Sequence, residues 1–261
     1  MMGLRKVSIS FAVFTLIFYL ILISSLFSFI SKDRFFEILF SERTMFSIKL
    51  SITAAFVAVM LSFIIALPAA YALSRYEFFG KKFIDLILEL PMIVSPAALG
   101  AILLFFFYNN LGTWIQEHVQ QFVFTFYGII LAQFTTILGV TIRMIKSGFD
   151  EIPPRYENTA RTLGANSFQA FRSVSLPLCS KSILATLIFA WAKAVGEFGA
   201  TITVAGTMAM RTETLPVAIF MRLSVADIDG AVVLITILLA IGLLVLFIVR
   251  QVIGGKSSAS N

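Results

Sequence analysis

Charge is scarce in this chain. Of its 261 residues only 13% are Asp, Glu, Lys or Arg, against 59% hydrophobic, and the mean hydropathy is +0.96. Soluble domains carry about 25% charged residues, so a water-soluble fold is excluded. Disorder is excluded as well, because it needs low hydrophobicity and high charge. The single cysteine, Cys179, can form no internal disulfide and has no neighbour to share a metal with. The phosphate-cradling pattern G-x-x-x-x-G-K-[ST] is missing, and Gly80-Lys81-Lys82 is only a short basic turn. No catalytic residue, bound cofactor or metal is therefore expected in this chain, and it is not expected to act as an enzyme by itself. With one histidine, one cysteine and three charges inside apolar runs, a secondary transporter or membrane enzyme lacks its usual proton relay or metal cluster. No internal repeat supports an inverted-repeat transporter either. His118 reads as a surface residue.

What is present in quantity is long apolar sequence. A bilayer takes about 20 apolar residues per crossing helix. Runs of suitable length lie at about 7–30, 50–73, 86–108, 123–142, 183–206 and 230–250. Only helices or closed barrels satisfy their backbone in lipid, and these runs lack the short alternating pattern of barrel strands. The expected fold is all-α, a single polytopic membrane domain of six helices over 1–261. The run behind Arg5-Lys6 is too long for a signal peptide and is expected to be a retained first helix. The tail 254–261 is expected to be short and flexible, with no soluble domain appended.

The net charge is +6. In a membrane protein such an excess points to cytoplasmic loops rather than to nucleic acid. The N-terminal tail, 74–85, 143–182 and the C-terminal tail together carry thirteen Lys and Arg, and the opposite side carries six. Both termini are therefore expected in the cytoplasm, and the loop 109–122, which has no Lys or Arg, outside.

The loop 143–182 is long for such a chain. Pro154 suits a helix start, Gly164 suits a left-handed helix stop, and Ser167 can cap a second helix that Pro177 should interrupt. The expected product is a helix–turn–helix elbow. It either packs on its own bundle or serves as a docking knob, with Glu157 and Arg161, four apart, offering charges on one face.

Three charges fall inside apolar runs: Glu89, Lys193 and Glu197. Lys193 and Glu197 are four apart and could neutralise each other as a structural pair. Alternatively Glu197 lies at a subunit interface or beside a pathway. Thr201, Thr203 and Thr207 could donate to an anion or bond back to their own helix. Pro91 and Pro96 should break the third span, with Ser95 satisfying the freed carbonyls, and a kinked helix there is a candidate gate element.

The elbow resembles the EAA loop of binding-protein-dependent ABC importers, whose pattern is E-A-A, three residues, G, nine residues, I-x-L-P. Gly164 is followed by nine residues and then by Val174-Ser175-Leu176-Pro177. The family's glutamate falls on Asn158 and its first alanine on Thr159, and only Ala160 keeps the pattern. Glu157 stands one position early and is a candidate to replace that glutamate. The resemblance implies that Glu157, Asn158, Thr159, Ala160, Arg161, Thr162, Leu163, Gly164 and Ala165 couple to an ATPase subunit, with Val174, Leu176 and Pro177 closing the motif. It also implies the type I ABC importer permease fold, a homodimer, two ATP-binding ABC subunits that hold the ATP and Mg, and an extracytoplasmic binding protein. Alternating access in a cell membrane would be the mechanism.

Gly196-Glu197-Phe198-Gly199-Ala200-Thr201 and Glu213-Thr214-Leu215-Pro216 resemble molybdate/tungstate permeases, and sulfate permeases share the first of these in part. With Leu88-Glu89-Leu90-Pro91 the similarity covers roughly 45–250. It implies molybdate/tungstate as cargo, with sulfate or another oxyanion as the alternative.

Overall fold

Helix α1 (Met2–Leu26) opens the chain, and a 3-10 turn Phe27–Phe29 ends it. The computed structural model describes residues 2–29 and 32–254. The tail 255–261, expected to be flexible, lies outside the described residues. None of the apolar window of α1 is buried within this chain. Beyond Arg5 and Lys6 its largely apolar surface must therefore be covered by lipid or by another chain.

A short helix α2 (Lys32–Leu39) leads to α3 (Glu42–Arg75), the longest helix. Ser41 starts α3 by accepting from the Thr44 N–H at 3.3 Å. Glu42 in the first turn and Arg75 in the last complement the helix dipole. A stripe of small residues, Ala54, Ala55, Ala58, Ser62, Ala66 and Ala70, is fully buried. That stripe lets α3 pack closely along α7 (Phe126–Asp150), the most extensive helix pairing in the molecule.

The third apolar run is not one kinked helix. It divides into α4 (Lys81–Ile93) and α5 (Pro96–Tyr108), whose axes are bent by 113°. Proline 96 forces the preceding residue out of the helical region, and Ser95 is extended at φ −61°, ψ 146°. Pro91, by contrast, sits inside α4 without ending it. Ser95 does not serve freed carbonyls as expected. Its hydroxyl oxygen accepts from the Ala98 N–H at 3.3 Å and caps α5.

The fifth run is also broken. Helix α10 (Leu176–Val195) stops at Gly196, and a short α11 (Gly199–Ala205) follows. Between α5 and α10, besides α7, stand α6 (Asn110–His118) in the segment expected as the loop 109–122, then α8 (Arg155–Thr162) and α9 (Ser167–Ala170) in the elbow. Helices α12 (Leu215–Ser224) and α13 (Ile228–Gly254) complete the chain.

The described residues are all-helical, with no strand. Five helices are long and apolar enough to cross a membrane, and the bent α4–α5 pair makes a sixth span if it crosses once. The fourth span runs on to Asp150 rather than ending near 142, with its charges paired on the helix and across to α4. Lys146 bonds Asp150 at 2.9 Å, and Arg143 pairs with Glu89 on α4. The elbow is correspondingly shorter than 143–182. Two core clusters run along the α3–α7–α10 column, and a third joins α2, α12 and α13.

Candidate functional site

The residues expected to be functional lie in two places, the elbow and the breaks at 94–95 and 196–198. The elbow is built by local signals. Helix α8 ends at Gly164, whose φ of +96° only glycine takes cheaply. The N–H groups of Gly164 and Ala165 return to the carbonyls of Arg161 and Ala160 at 3.1 and 3.0 Å. These are the paired bonds of a Schellman stop. Asn166, not Ser167, caps α9. It exchanges bonds of 2.8 Å with Gln169 in a capping box. Pro177 does not interrupt the second helix. A π-helical turn at Phe171–Ser175 precedes it, and Pro177 falls in the first turn of α10, where its missing N–H is harmless.

Glu157 is not a charge on the outer face. It is 9% exposed and turned towards α3. Its Oε1 accepts from Arg75 Nε at 2.6 Å and from Ser175 Oγ at 2.6 Å. Its Oε2 accepts from Tyr71 Oη at 2.8 Å. Burial pushes the Glu157 carboxyl up, but the hydrogen bonds from Ser175, Arg75 and Tyr71 outweigh it and hold the group below the usual carboxylate range. Arg75 also donates to the Ile152 carbonyl at 3.0 Å. The Tyr71 ring meets Phe149 and Phe171 edge-on, with centroids 5.5 and 4.7 Å apart. One carboxylate thus ties α8, the π-helical turn and the end of α3 together.

The outer side of the elbow is free. Asn158, Thr159, Arg161, Thr162 and Gly164 are exposed, Ala160 and Ala165 half-buried. Two large apolar side chains, Leu163 at 84% and Phe168 at 68%, stand in the open beside them. Val174 and Leu176 are half-buried, and Pro177 is exposed.

At the breaks, the expected Lys193–Glu197 pair does not form. The helix ends at Val195, so Glu197 no longer follows Lys193 by one turn. Its Oε1 instead accepts from the Ala200 N–H at 3.0 Å and caps α11. Gly199 is needed here, since a Cβ would come within 2.8 Å of the Ala97 nitrogen on α5. Glu89 is paired with Arg143, and both are partly exposed. Thr203 bonds back to the Gly199 carbonyl at 2.7 Å. Thr201 does not bond back: its hydroxyl is buried without a partner, as are both polar atoms of Gln133 on α7.

The opposite end of the bundle holds a clasp that sequence reasoning missed. Arg43 donates to Glu213 through Nε at 2.7 Å and a terminal nitrogen at 2.6 Å, and Glu213 is 1% exposed. Ser51 Oγ accepts from the Leu215 N–H at 2.7 Å. The Glu213-Thr214-Leu215-Pro216 motif therefore fastens α12 to α3. The Glu213 carboxylate and the Leu215 N–H are engaged within the chain, while the Thr214 hydroxyl is buried without a partner among the described residues.

Residues 58–257 match the family described as binding-protein-dependent transport system inner membrane component. The chain belongs to this family. It is similar to the sulfate transport system permease protein CysT of Escherichia coli (strain K12), at 32% identity over 83% of this chain and 79% of that one. It is also similar to the molybdenum transport system permease protein ModB of Haemophilus influenzae, at 31% over 67% and 77%. Its fold is that of a chain in a bacterial ABC transporter that imports alginate, with TM-score 0.73 at 18% identity, covering 88% of this chain and 85% of that. The MetNI methionine ABC transporter gives 0.64 at 16%, covering 82% and 98%. As an ABC importer permease the chain is a multi-pass inner membrane protein and not itself an enzyme.

Proposed function

We propose that this permease carries a tetrahedral oxyanion into the cytoplasm as part of an ATP-driven complex. The complex would hold two copies of the chain, two ATP-binding ABC subunits and an extracytoplasmic binding protein. The observation that carries the reading is the similarity to both sulfate and molybdenum permeases across most of the chain. Sulfate, molybdate and tungstate share shape and charge, so the oxyanion class is what those relatives have in common. The Gly196–Thr201 segment and the Glu213–Pro216 segment favour molybdate/tungstate. The sulfate reading is favoured by the larger share of this chain that CysT matches.

In this reading ATP binds one state of the complex better than the other, which is what drives alternation. The elbow is the mechanical contact. Leu163 and Phe168 seat in an ATPase subunit, and the Glu157 clasp passes the displacement to α3. Both termini face the cytoplasm, following the distribution of Lys and Arg.

The test is uptake by the complete complex in proteoliposomes, using labelled sulfate, molybdate and tungstate in turn. Uptake of at least one anion that needs both ATP and the binding protein is expected. Failure with all three, in a complex whose ATPase responds to its binding protein, would overturn the oxyanion reading.

A further inference from the structure

The geometry points to a transit site for the oxyanion at the α4–α5 break, formed by the Lys193 ammonium and the Ser95 hydroxyl. This deepens the function proposed above and rests on it. An open cavity of about 370 Å³ lies there, with Pro91, Val94, Ser95, Pro96, Phe189 and Lys193 on its wall. Among the described residues Lys193 enters no hydrogen bond or ion pair. The carboxylates that could neutralise it are engaged elsewhere. Glu197 caps α11 through Ala200, and Glu89 is paired with Arg143.

A lysine inside a membrane span is costly when it faces hydrocarbon, and such residues face an aqueous cavity or a polar partner instead. The mouth of this cavity is therefore on a watery passage. No Asp or Glu lines it, so nothing repels a dianion. Ser95 uses only its acceptor within the chain, receiving the Ala98 N–H, and its proton is free to donate. The rest of the lining is apolar or proline, so the site offers few donors and holds an anion weakly, as passage requires.

The test uses the complete complex in proteoliposomes, with labelled sulfate and molybdate as probes. Wild type must first take up one of them, and if it takes up neither, the oxyanion reading itself has failed. Lys193→Met is expected to lower uptake about tenfold, the loss of one cation–dianion contact in a wet site. Stimulation of the ATPase by loaded binding protein should persist, and Lys193→Arg should retain most of the uptake. Lys193→Cys in a Cys179→Ala background should regain uptake on aminoethylation, which restores an ammonium, and not on ethylation. Wild-type uptake by Lys193→Met would overturn the site. So would a joint loss of uptake and ATPase stimulation that aminoethylation leaves unrepaired, because Lys193 would then be a structural partner of another group.

Discussion

The elbow and the helix breaks are opposites. At the elbow a buried carboxylate has three donors within 2.8 Å, and the helix stops are closed by paired backbone bonds. At the breaks, among the described residues, a lysine has no partner and a threonine hydroxyl is buried unbonded, and two half-helices meet at 113°. Buried polar groups are normally matched. Where they are, the structure resists change, because every rearrangement must break a bond that nothing replaces. Where they are not, an alternative arrangement costs less. A stiff lever joined to a yielding passage is the division of labour that an alternating-access permease needs.

The largest effect is expected from Glu157→Ala, which would erase the contrast by loosening the lever. It leaves Arg75 buried beside an empty place, and breaking a buried pair in this way costs about 3–5 kcal/mol. The elbow should become sensitive to limited proteolysis, and transport should fall more than tenfold while the spans remain inserted. The pH dependence has a definite sign. The Glu157 carboxyl titrates below its unfolded value, so its contribution is complete above the unfolded pKa of about 4.3 and is lost as pH falls through the folded one. Protease protection of the elbow should therefore be flat from neutral pH down to the ordinary carboxylate range and collapse only below it.

A smaller effect is expected at the far clasp. Arg43→Ala leaves the buried Glu213 carboxylate without its fork, at a cost of about 1–3 kcal/mol. The melting temperature should drop, with ATPase copurification unchanged.

Gly164 separates strain from docking. A Cβ there meets nothing within 4 Å, so Gly164→Ala should cost only roughly 1 kcal/mol of left-handed backbone strain. Gly164→Leu adds bulk on the outer surface alone. It should abolish ATPase copurification at normal membrane expression, and retention of the partner by Gly164→Leu would remove this face from the contact. Asn158→Ala, at an exposed position whose side chain makes no hydrogen bond among the described residues, should change uptake less than twofold, in keeping with the small effects of surface substitutions.

The legible parts of this fold are the local ones. The stop at Gly164 follows from a single residue, and its positive φ bears it out; the apolar runs follow from composition, and five helices are long and apolar enough to cross, with the bent α4–α5 pair as a sixth if it crosses once. The pairing of Glu157 with Arg75 spans 82 positions, and nothing in the helix pattern of 155–162 says which side of α8 will be covered. Glu157 and Arg161 look like one exposed face until α3 arrives behind them. The Lys193–Glu197 pair failed for a local reason. Gly196 and Gly199 bracket Glu197, and that bracket was a signal for a helix break that the i, i+4 spacing obscured. The sharp bend at Ser95 was half legible. The prolines marked the place, but the angle depends on α11 packing against α5 through Gly199.

The central claim is that the elbow and α3 move as one body while α4 and α5 move against each other. Electron–electron distance measurements on the complete complex test it directly. Two label pairs are needed in a Cys179→Ala background, Thr159 with Ile64 and Phe83 with Phe105, all exposed positions. Between the nucleotide-free and ATP-bound complexes, the Thr159–Ile64 distribution should stay fixed while the Phe83–Phe105 distribution shifts. A shift at Thr159–Ile64 with none across the break would contradict the account.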